Sequence, residues 1–288
     1  MTDVIRASSL NKRFGDKQVL NDINLSVSKG EIVGLIGPNG AGKTTLLKSI
    51  LGLAPFDGEL SVLGKDPQKN RKQLMERVSF IADTAILPAW LKVNQAITFV
   101  EQTHPRFNKA LALQYLESTN IPLNAKVSEL SKGMVTKAHL SIIMAIQSDL
   151  LVLDEPTLGL DIIKRKEFYQ QLLEDYFDGE KTIVISTHQV EEIDKLVTRA
   201  VFINEGKIVL NESMDAIEKQ YFEVTTDDPL AENINGVQPI HIQKGIRSST
   251  HIYKIDDHAQ LEALGSYRTP SMADLFVAIV SPHKNTAA

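Results

Sequence analysis

The sequence predicts an α/β protein whose mainly parallel sheet is covered on both faces. Two short apolar runs, Glu31–Ile36 and Leu150–Leu153, end abruptly in glycines or carboxylates, as buried parallel strands do. Segments with helical spacing of apolar residues follow them, beginning at Thr44 and at Ile162. From Leu150 onward, strand and helix patterns alternate, which is typical of parallel sheets with crossover helices.

The N-terminal half adds two further kinds of element. Val19–Val27 alternates apolar and polar residues at period two, which predicts a half-buried strand. The polar, proline-punctuated stretch Pro67–Asn124 follows the first helix and contains two helical patterns, Val93–Gln102 and Asn108–Thr119. We therefore expect a helical subdomain inserted into the α/β domain, over about residues 84–148.

The C-terminal half predicts helices at Ile162–Tyr176 and Glu191–Ala200, with a strand at Thr182–Thr187 between them. Ala200–Leu210 is interpreted as a hairpin that turns at Asn204–Gly206. After about position 211, short alternating strands and a last amphipathic helix, 272–280, predict a small α+β appendage. The predicted domains are thus 1–210 and 211–288, and the appendage holds a dimer, senses a ligand or caps the sheet edge.

Composition excludes several classes of function. The chain has no cysteine, so disulfides, thiolate zinc sites and cysteine nucleophiles are excluded together. A net charge of −5 gives no reason to expect nucleic acid as a partner, since phosphate-binding surfaces need an excess of basic residues. The charged N-terminus does not resemble a secretory signal, and no apolar run approaches the roughly 20 residues that span a bilayer. We expect a soluble chain that reaches a membrane only through a partner.

The segment Gly37–Thr44 (GPNGAGKT) predicts a phosphate-binding loop. It matches G-x-x-x-x-G-K-[ST] and lies between a predicted strand and a predicted helix, where this motif functions. Backbone amides from Asn39 to Thr45 can surround phosphate oxygens, and the helix N-terminus adds partial positive charge. We expect Lys43 to reach the β- and γ-phosphates and the Thr44 hydroxyl to bind Mg²⁺. A glycine-rich turn that matches by chance is the alternative.

Asp154 and Glu155 form an acidic pair at the end of a predicted buried strand. Such a strand delivers its last residues to the carboxyl edge of the sheet, where open α/β sheets bind ligands. We expect Asp154 to hold Mg²⁺ through water and Glu155 to act as the general base on the attacking water. A strand end carrying solvated acids is the alternative.

Three more segments occur in a characteristic order. Leu130–Met134 (LSKGM) precedes the acidic pair, Leu158–Asp161 (LGLD) follows it, and Ser186–His188 (STH) ends the next strand. With both nucleotide motifs, this order resembles the ATP-binding subunits of ABC transporters over about residues 1–210. The resemblance implies a P-loop NTPase cassette: a RecA-like, mainly parallel core sheet, an antiparallel N-terminal sheet and the inserted helical subdomain.

The resemblance also implies a mechanism, in which two copies, or this chain and a related subunit, enclose two Mg·ATP head to tail. Glu155, His188 and Lys43 are then catalytic, Asp161 bridges the dimer, and Thr44, Asp154 and Asp83 bind the metal. The implied ATP-binding residues are Phe14, Gly37, Pro38, Asn39, Gly40, Ala41, Gly42, Lys43, Thr44, Thr45, Ser131 and Gly133. Of these, Phe14 stacks on adenine, and Ser131 and Gly133 contact the γ-phosphate held by the partner.

The chain departs from the family pattern at three positions. Lys132 and Met134 replace a glycine and a glutamine of the usual signature, which resembles exporter ATPases that act with separate membrane subunits. Asp83 stands where the family places a metal-linked glutamine, with Gln95 as a distant substitute. Aspartate is also a hard oxygen ligand, but it is shorter and charged.

Several alternatives stay open at this stage. Phe14 could be strand core, His188 a structural histidine, and Ser131 is a helix N-cap in any case. Trp90 either docks a membrane partner's cytoplasmic helix or packs in the core. The resulting hypothesis is an ATPase at the cytoplasmic face of a membrane that powers a separate permease in export. A soluble ABC ATPase and an ATP-sensing regulator are the alternatives; the cargo is not encoded in this chain.

Overall fold

The computed structural model describes residues 3–82, 87–117, 119–227, 233–256 and 266–281. Its strands are β1 (Asp3–Phe14), β2 (Lys17–Ser28), β3 (Ile32–Ile36), β4 (Asp57–Val62), β5 (Val78–Ile81), β6 (Leu150–Asp154), β7 (Thr182–Thr187), β8 (Arg199–Asn204), β9 (Lys207–Ser213), β10 (Tyr221–Thr226), β11 (His241–Lys244) and β12 (Ser249–Lys254). Its α-helices are α1 (Lys43–Ile50), α2 (Arg71–Met75), α3 (Val93–Thr103), α4 (Lys109–Glu117), α5 (Lys132–Met144), α6 (Ile162–Gln171), α7 (Met214–Gln220) and α8 (Met272–Val280).

The central sheet has six strands in the order β5-β6-β7-β3-β8-β9. All neighbouring pairs are parallel except β8 and β9, which form the predicted hairpin. A separate antiparallel sheet, β2-β1-β4, is formed by the N-terminal strands, and a third, β10-β12-β11, lies in the C-terminal part. The predicted α/β class, with a mainly parallel core and an antiparallel N-terminal sheet, is confirmed.

Strand β3 shows how the central sheet is buried on both faces. Val33 and Leu35 point into one hydrophobic cluster, which includes residues of β1, β2, β4 and α1. Ile32 and Ile36 point into a second cluster, built with residues of α5, α6 and α8. Because successive side chains of a strand face opposite sides, an uninterrupted apolar strand fills both clusters. The N-terminal sheet covers one face of the central sheet, and helices cover the other.

Two smaller cores complete the described structure. Helices α3, α4 and α5 share a cluster centred on Val93, Ile97, Leu116 and Ile142. The C-terminal sheet has its own cluster, which contains Phe222, Val224 and Tyr253.

The predicted boundary near position 211 falls within β9, which ends at Ser213, and the domain division stays a prediction. Among the residues described, no helix has the length and apolar character needed to cross a bilayer.

The predicted helix at Glu191–Ala200 is wrong. Only a short 3-10 turn, Val190–Glu192, forms there, and β8 begins at Arg199. The backbone N–H of Thr198 donates to the Ile32 carbonyl oxygen at 2.8 Å, which draws the chain into the sheet. Pairing with β3 therefore overrides the local helical pattern. The predicted helix over 162–176 is α6, followed by a single π-helical turn, Leu172–Tyr176.

Candidate active site

The phosphate loop, residues 37–42, connects the central strand β3 to α1. It runs close to neighbouring backbone, because a Cβ at Gly37 would collide with the Ile203 carbonyl oxygen. Gly42 adopts φ +111° immediately before α1, a conformation that side chains strongly disfavour. Both glycines are thus required by the local backbone. They let the loop turn sharply and place the N-terminus of α1 at the edge of the sheet.

Lys43 is the first residue of α1 and is almost fully buried, with 6% of its surface exposed. Its Nζ donates to the carbonyl oxygens of Gly37, at 2.7 Å, and Pro38, at 3.3 Å. The same ammonium lies 3.2 Å from Glu155 Oε1. This is an ion-pair distance, although the pair does not have hydrogen-bond geometry and Oε1 accepts no hydrogen bond from the described residues. The lysine is therefore held at the mouth of the loop by two carbonyls and a carboxylate.

Asp154 joins the phosphate loop to two neighbouring strands. Its Oδ1 accepts hydrogen bonds from Thr44 Oγ1 at 3.2 Å and from Ser186 Oγ at 2.5 Å. Asp154 and Ser186 are register partners at the ends of β6 and β7. The carboxylate is 2% exposed, so these hydroxyl donors compensate for the loss of water. Thr44 and Asp154 together present hard oxygen atoms of the kind that Mg²⁺ prefers.

Glu155 follows the end of β6 in a left-handed backbone conformation, φ +48°, which is rare for a residue other than glycine. Its backbone N–H donates to the Ser186 carbonyl oxygen at 3.1 Å, which supports the conformation. Its Oε2 lies 2.9 Å from Nδ1 of His188. Backbone strain of this kind concentrates at functional sites, where the surrounding contacts maintain it. The turn aims the carboxylate at both Lys43 and His188.

A cavity of about 940 Å³ joins the predicted site residues. Its walls include Phe14, the phosphate loop, Glu155 and His188. Phe14 is 55% exposed, so it is not strand core, and the Lys12 ammonium lies 4.7 Å from its ring centroid. Further lining residues that the sequence did not indicate are Lys17, Gln18, Val19, Glu205 and Gly206. The cavity thus places an open aromatic ring and a phosphate loop around one space.

The turn of the β8–β9 hairpin braces the phosphate loop. The Gly206 N–H donates to the Ala41 carbonyl oxygen at 3.0 Å, and the Gly206 carbonyl accepts from Asn21 N–H at 2.8 Å. A side chain at position 206 would collide with the Val19 carbonyl oxygen. The turn at Asn204–Gly206 could be predicted from the sequence, but its contact with residue 41 could not.

Ser131 and Gly133 lie at the start of α5 and do not line this cavity. Ser131 is the N-cap, and its Oγ accepts a 3.3 Å hydrogen bond from the Met134 N–H. The methylenes of Lys164 occupy the space that a side chain at Gly133 would need. The Lys132 ammonium likewise occupies the space that a side chain at Gly159 would need. The start of α5 and the segment 158–164 therefore pack against each other within one chain.

Of the other four predicted residues, three lie in the described part of the chain. Asp161 caps α6 through the Lys164 N–H at 3.0 Å, and the Lys164 ammonium beside it lowers the pKa of its carboxyl. Asp83 lies outside the described residues. Gln95 Oε1 accepts from the Lys92 N–H at 3.0 Å and so caps α3. Trp90 is 72% exposed, which excludes packing in the core.

A partly buried polar network that the sequence did not indicate lies next to the site. It comprises Thr157, Arg165, Gln189 and Glu192, together with Tyr169, whose pKa is raised by burial. Its members are scattered between the motifs, and a lone charged residue on an amphipathic helix normally indicates a solvated face. No pattern in a single sequence distinguishes Arg165 from its exposed neighbour Lys166.

Comparison with known proteins gives a consistent result. Residues 20–158 match the family described as ABC transporter. The chain is 37% identical over 205 residues to the Nod factor export ATP-binding protein I of Burkholderia orbicola, covering 69% of this chain and 67% of that protein. It is 30% identical over 223 residues to the bacitracin transport ATP-binding protein BcrA of Bacillus licheniformis, covering 76% and 73%.

Similarity also extends beyond the central domain. The chain is 26% identical over 258 residues to the ABC transporter ATP-binding protein YtrB of Bacillus subtilis, covering 88% of each chain. A solved ATP-binding subunit of an ABC transporter superposes with a TM-score of 0.70 at 20% identity, covering 96% of this chain and 99% of that one. At this identity the superposition establishes the fold, including that of the C-terminal part.

Proposed function

Since this chain belongs to the ABC transporter family, we propose that it is the subunit that binds and hydrolyses ATP to power a membrane permease in export. The observation that carries the proposal is the meeting of five side chains at the carboxyl edge of the central sheet. These are Lys43, Thr44, Asp154, Glu155 and His188. Lys43 and Thr44 begin α1, after β3 and the phosphate loop, while the other three lie at or just after the ends of the adjacent strands β6 and β7. Glu155 contacts both Lys43 and His188.

ATP hydrolysis assigns a role to each of the residues around the cavity. Phe14 stacks on the adenine ring, and the amides of the phosphate loop with Lys43 hold the β- and γ-phosphates. Glu155 takes a proton from water as the water oxygen attacks the γ-phosphorus. The bond from that phosphorus to the β–γ bridging oxygen breaks, leaving ADP and inorganic phosphate. His188, in contact with Glu155, orients the γ-phosphate and the base.

The site also fits a magnesium ion. Thr44 Oγ1 and Asp154 Oδ1 lie 3.2 Å apart and present a hydroxyl and a carboxylate, both hard oxygen donors. Mg²⁺ bound there with ATP would neutralise charge that develops on the phosphate oxygens. Ser186 holds the Asp154 carboxylate in place by donating to the same Oδ1.

We further propose that two ATPase subunits act as a head-to-tail pair. Ser131 is exposed at the N-terminus of α5, where the helix dipole favours an anion. In a paired arrangement, Ser131 and the Gly133 amide contact the γ-phosphate bound by the partner, and Asp161 contacts the partner across the interface. The second subunit is another copy of this chain or a related ATPase.

The relatives support export and a membrane partner. Two relatives at 30% identity or more are named for Nod factor export and for bacitracin transport. On the helical part, Trp90 and Phe99 are 72% and 63% exposed, which suits docking of a permease helix. We accordingly place the chain at the cytoplasmic face of a membrane, held there by its permease.

The test is ATPase activity of the purified chain compared with Glu155→Gln, with the oligomeric state of each followed by light scattering in Mg·ATP. We expect turnover in the wild type, and both loss of turnover and a stable ATP-bound dimer in the variant. Glu117→Gln, on the exposed face of α4, is the matched control and should behave as the wild type.

Two results would contradict the proposal. Undiminished turnover in Glu155→Gln would remove the general-base role from this residue. ATP binding without turnover or dimerisation, both alone and with a co-expressed permease, would instead favour an ATP-sensing regulator.

A further inference from the structure

Two loops carry Glu155, Asp161 and His188. The Glu155 loop, residues 155–161, connects β6 to α6 and ends at Asp161; the His188 loop, residues 188–198, connects β7 to β8. Pairing of β6 with β7 and the bond from the Glu155 N–H to Ser186 fix only the start of each loop. Beyond that point no backbone hydrogen bond of the described residues joins the two loops, so their relative positions depend on side-chain contacts between them.

Glu192 connects the His188 loop to the Glu155 loop. Its Oε2 accepts a hydrogen bond from Thr157 Oγ1 at 2.9 Å, two residues beyond Glu155. Its other oxygen, Oε1, pairs with Nη1 of Arg165. The Glu192 side chain is 15% exposed, so the carboxylate has exchanged most of its water for these two donors.

Arg165, on α6, connects the end of the Glu155 loop to the His188 loop. Its Nε donates to the Leu160 carbonyl oxygen at 2.7 Å, directly before Asp161. Its Nη1 contacts Gln189 Oε1, directly after His188, and also Glu192. A guanidinium can make these contacts together because its donors point in fixed directions in one plane. Lysine, with a single ammonium, could not reproduce them.

A purely structural role is a weaker explanation of this ion pair. Ion pairs with little exposure contribute little net stability, because desolvation offsets much of the attraction. They do fix the geometry of the groups that they join. In this chain the joined groups are Thr157, two residues after Glu155, together with Leu160 and Gln189, which adjoin Asp161 and His188. His188 Nδ1 lies 2.9 Å from Glu155 Oε2.

We propose that Arg165 and Glu192 are positioning residues that hold the Glu155 loop and the His188 loop as one unit, and so keep His188 against Glu155. This inference rests on the proposed ATPase function. Loss of either residue frees the segment 188–192 to shift, and a displacement of about 1 Å in a catalytic group can reduce turnover by about 100-fold. Nucleotide binding depends on the phosphate loop and Phe14, which the network does not contact, and should be retained.

The test compares Glu192→Gln, Arg165→Lys and the double variant with two matched controls. Glu191→Gln and Lys166→Gln alter the exposed neighbours of the same residues. We expect kcat to fall at least 10-fold in each single variant, with KM for ATP and the melting temperature close to wild type. The double variant should be no slower than the slower single variant, because both break the same unit. The controls should keep wild-type kcat.

Ring-nitrogen NMR of ¹⁵N-histidine-labelled protein gives a readout that does not need activity. The His188 signals, assigned with His188→Gln, should shift in Glu192→Gln and stay unchanged in Glu191→Gln. Unshifted His188 signals overturn the inference even if the wild type proves inactive, an outcome that would count separately against the proposed function. A wild-type kcat in Glu192→Gln, or a fall in kcat matched by equal losses of ATP affinity and melting temperature, also overturns it.

Discussion

Lys43 Nζ lies 3.2 Å from Glu155 Oε1, so the proposed phosphate-binding lysine and the proposed general base form an ion pair within the cavity. Both side chains are largely buried, with 6% and 13% of their surfaces exposed. A nucleotide phosphate that enters the loop competes with Glu155 for the same ammonium. The two groups are therefore coupled before any chemistry takes place.

The first prediction concerns this coupling. Replacing Glu155 by Gln removes the competing charge, so ADP should bind about 3- to 10-fold more tightly, equivalent to about 0.7 to 1.4 kcal/mol. Isothermal titration with ADP in the absence of divalent cations isolates the effect from hydrolysis and from pairing of subunits. Glu117→Gln should leave the Kd unchanged. An unchanged Kd in Glu155→Gln would mean that the ion pair does not oppose binding.

The second prediction concerns the metal. Thr44→Ala removes the hydroxyl that lies 3.2 Å from Asp154 Oδ1. We expect Mg²⁺ to tighten ATP binding in the wild type. In Thr44→Ala, the free energy that Mg²⁺ adds to ATP binding should be less than half of the wild-type value. The measurement is the ratio of the ATP dissociation constants in EDTA and in Mg²⁺. Equal ratios in the two proteins would remove Thr44 from the metal site.

The third prediction concerns the aromatic wall of the cavity. Phe14 is half-exposed beside Lys12, which leaves its ring available for stacking. Stacking of a base on an aromatic ring contributes about 1 to 3 kcal/mol, so Phe14→Ala should weaken ATP binding by about 5- to 150-fold. Phe14→Tyr keeps the ring and should bind ATP as the wild type does. Equal affinities of the alanine and tyrosine variants would contradict the assignment.

The fourth prediction concerns pH. Burial in α5 lowers the pKa of His139 to about 4, below its ordinary value of 6.5. The unfolded chain then binds the proton more readily, so this group reduces stability as the pH falls from 6.5 towards 4, by about 1 to 3 kcal/mol. Urea unfolding at pH 7.5 and 5.0 should show a smaller loss of stability in His139→Gln than in the wild type. Equal losses would show that the pKa of His139 does not differ between the folded and the unfolded state.

The sequence allowed the central domain and most of the site to be predicted because their signals are local. The strand, glycine-rich loop and helix around Lys43 are contiguous, and the apolar run ending at Asp154 indicates a buried strand by itself. Contacts between distant segments gave no such signal. The Gly206 turn meets Ala41, and Arg165 meets Glu192, only because the sheet brings them together.

The wrong prediction of a helix at 191–200 has the same cause, a contact between distant segments that gives no local signal. Ile193 and Val197 are buried four residues apart, as on a helix, but both pack onto Gly34 of β3, which has no side chain in the way. That space is visible only in the assembled sheet.

The metal role of Asp83 stays a prediction, as do the domain boundaries and the head-to-tail pair.

The place of β3 in the middle of the central sheet determines when the protein can first bind nucleotide during its synthesis. Strand β3 is made early, but its two neighbours, β7 and β8, are residues 182–187 and 199–204. Until both have left the ribosome, β3 lacks at least one of its sheet partners, and the loop that follows it lacks the contact with the Gly206 turn. Contacts so far apart along the chain form late in folding. We therefore expect nucleotide binding only after β8 and the Gly206 turn have been made, and a shorter chain leaves at least one edge of β3 unpaired.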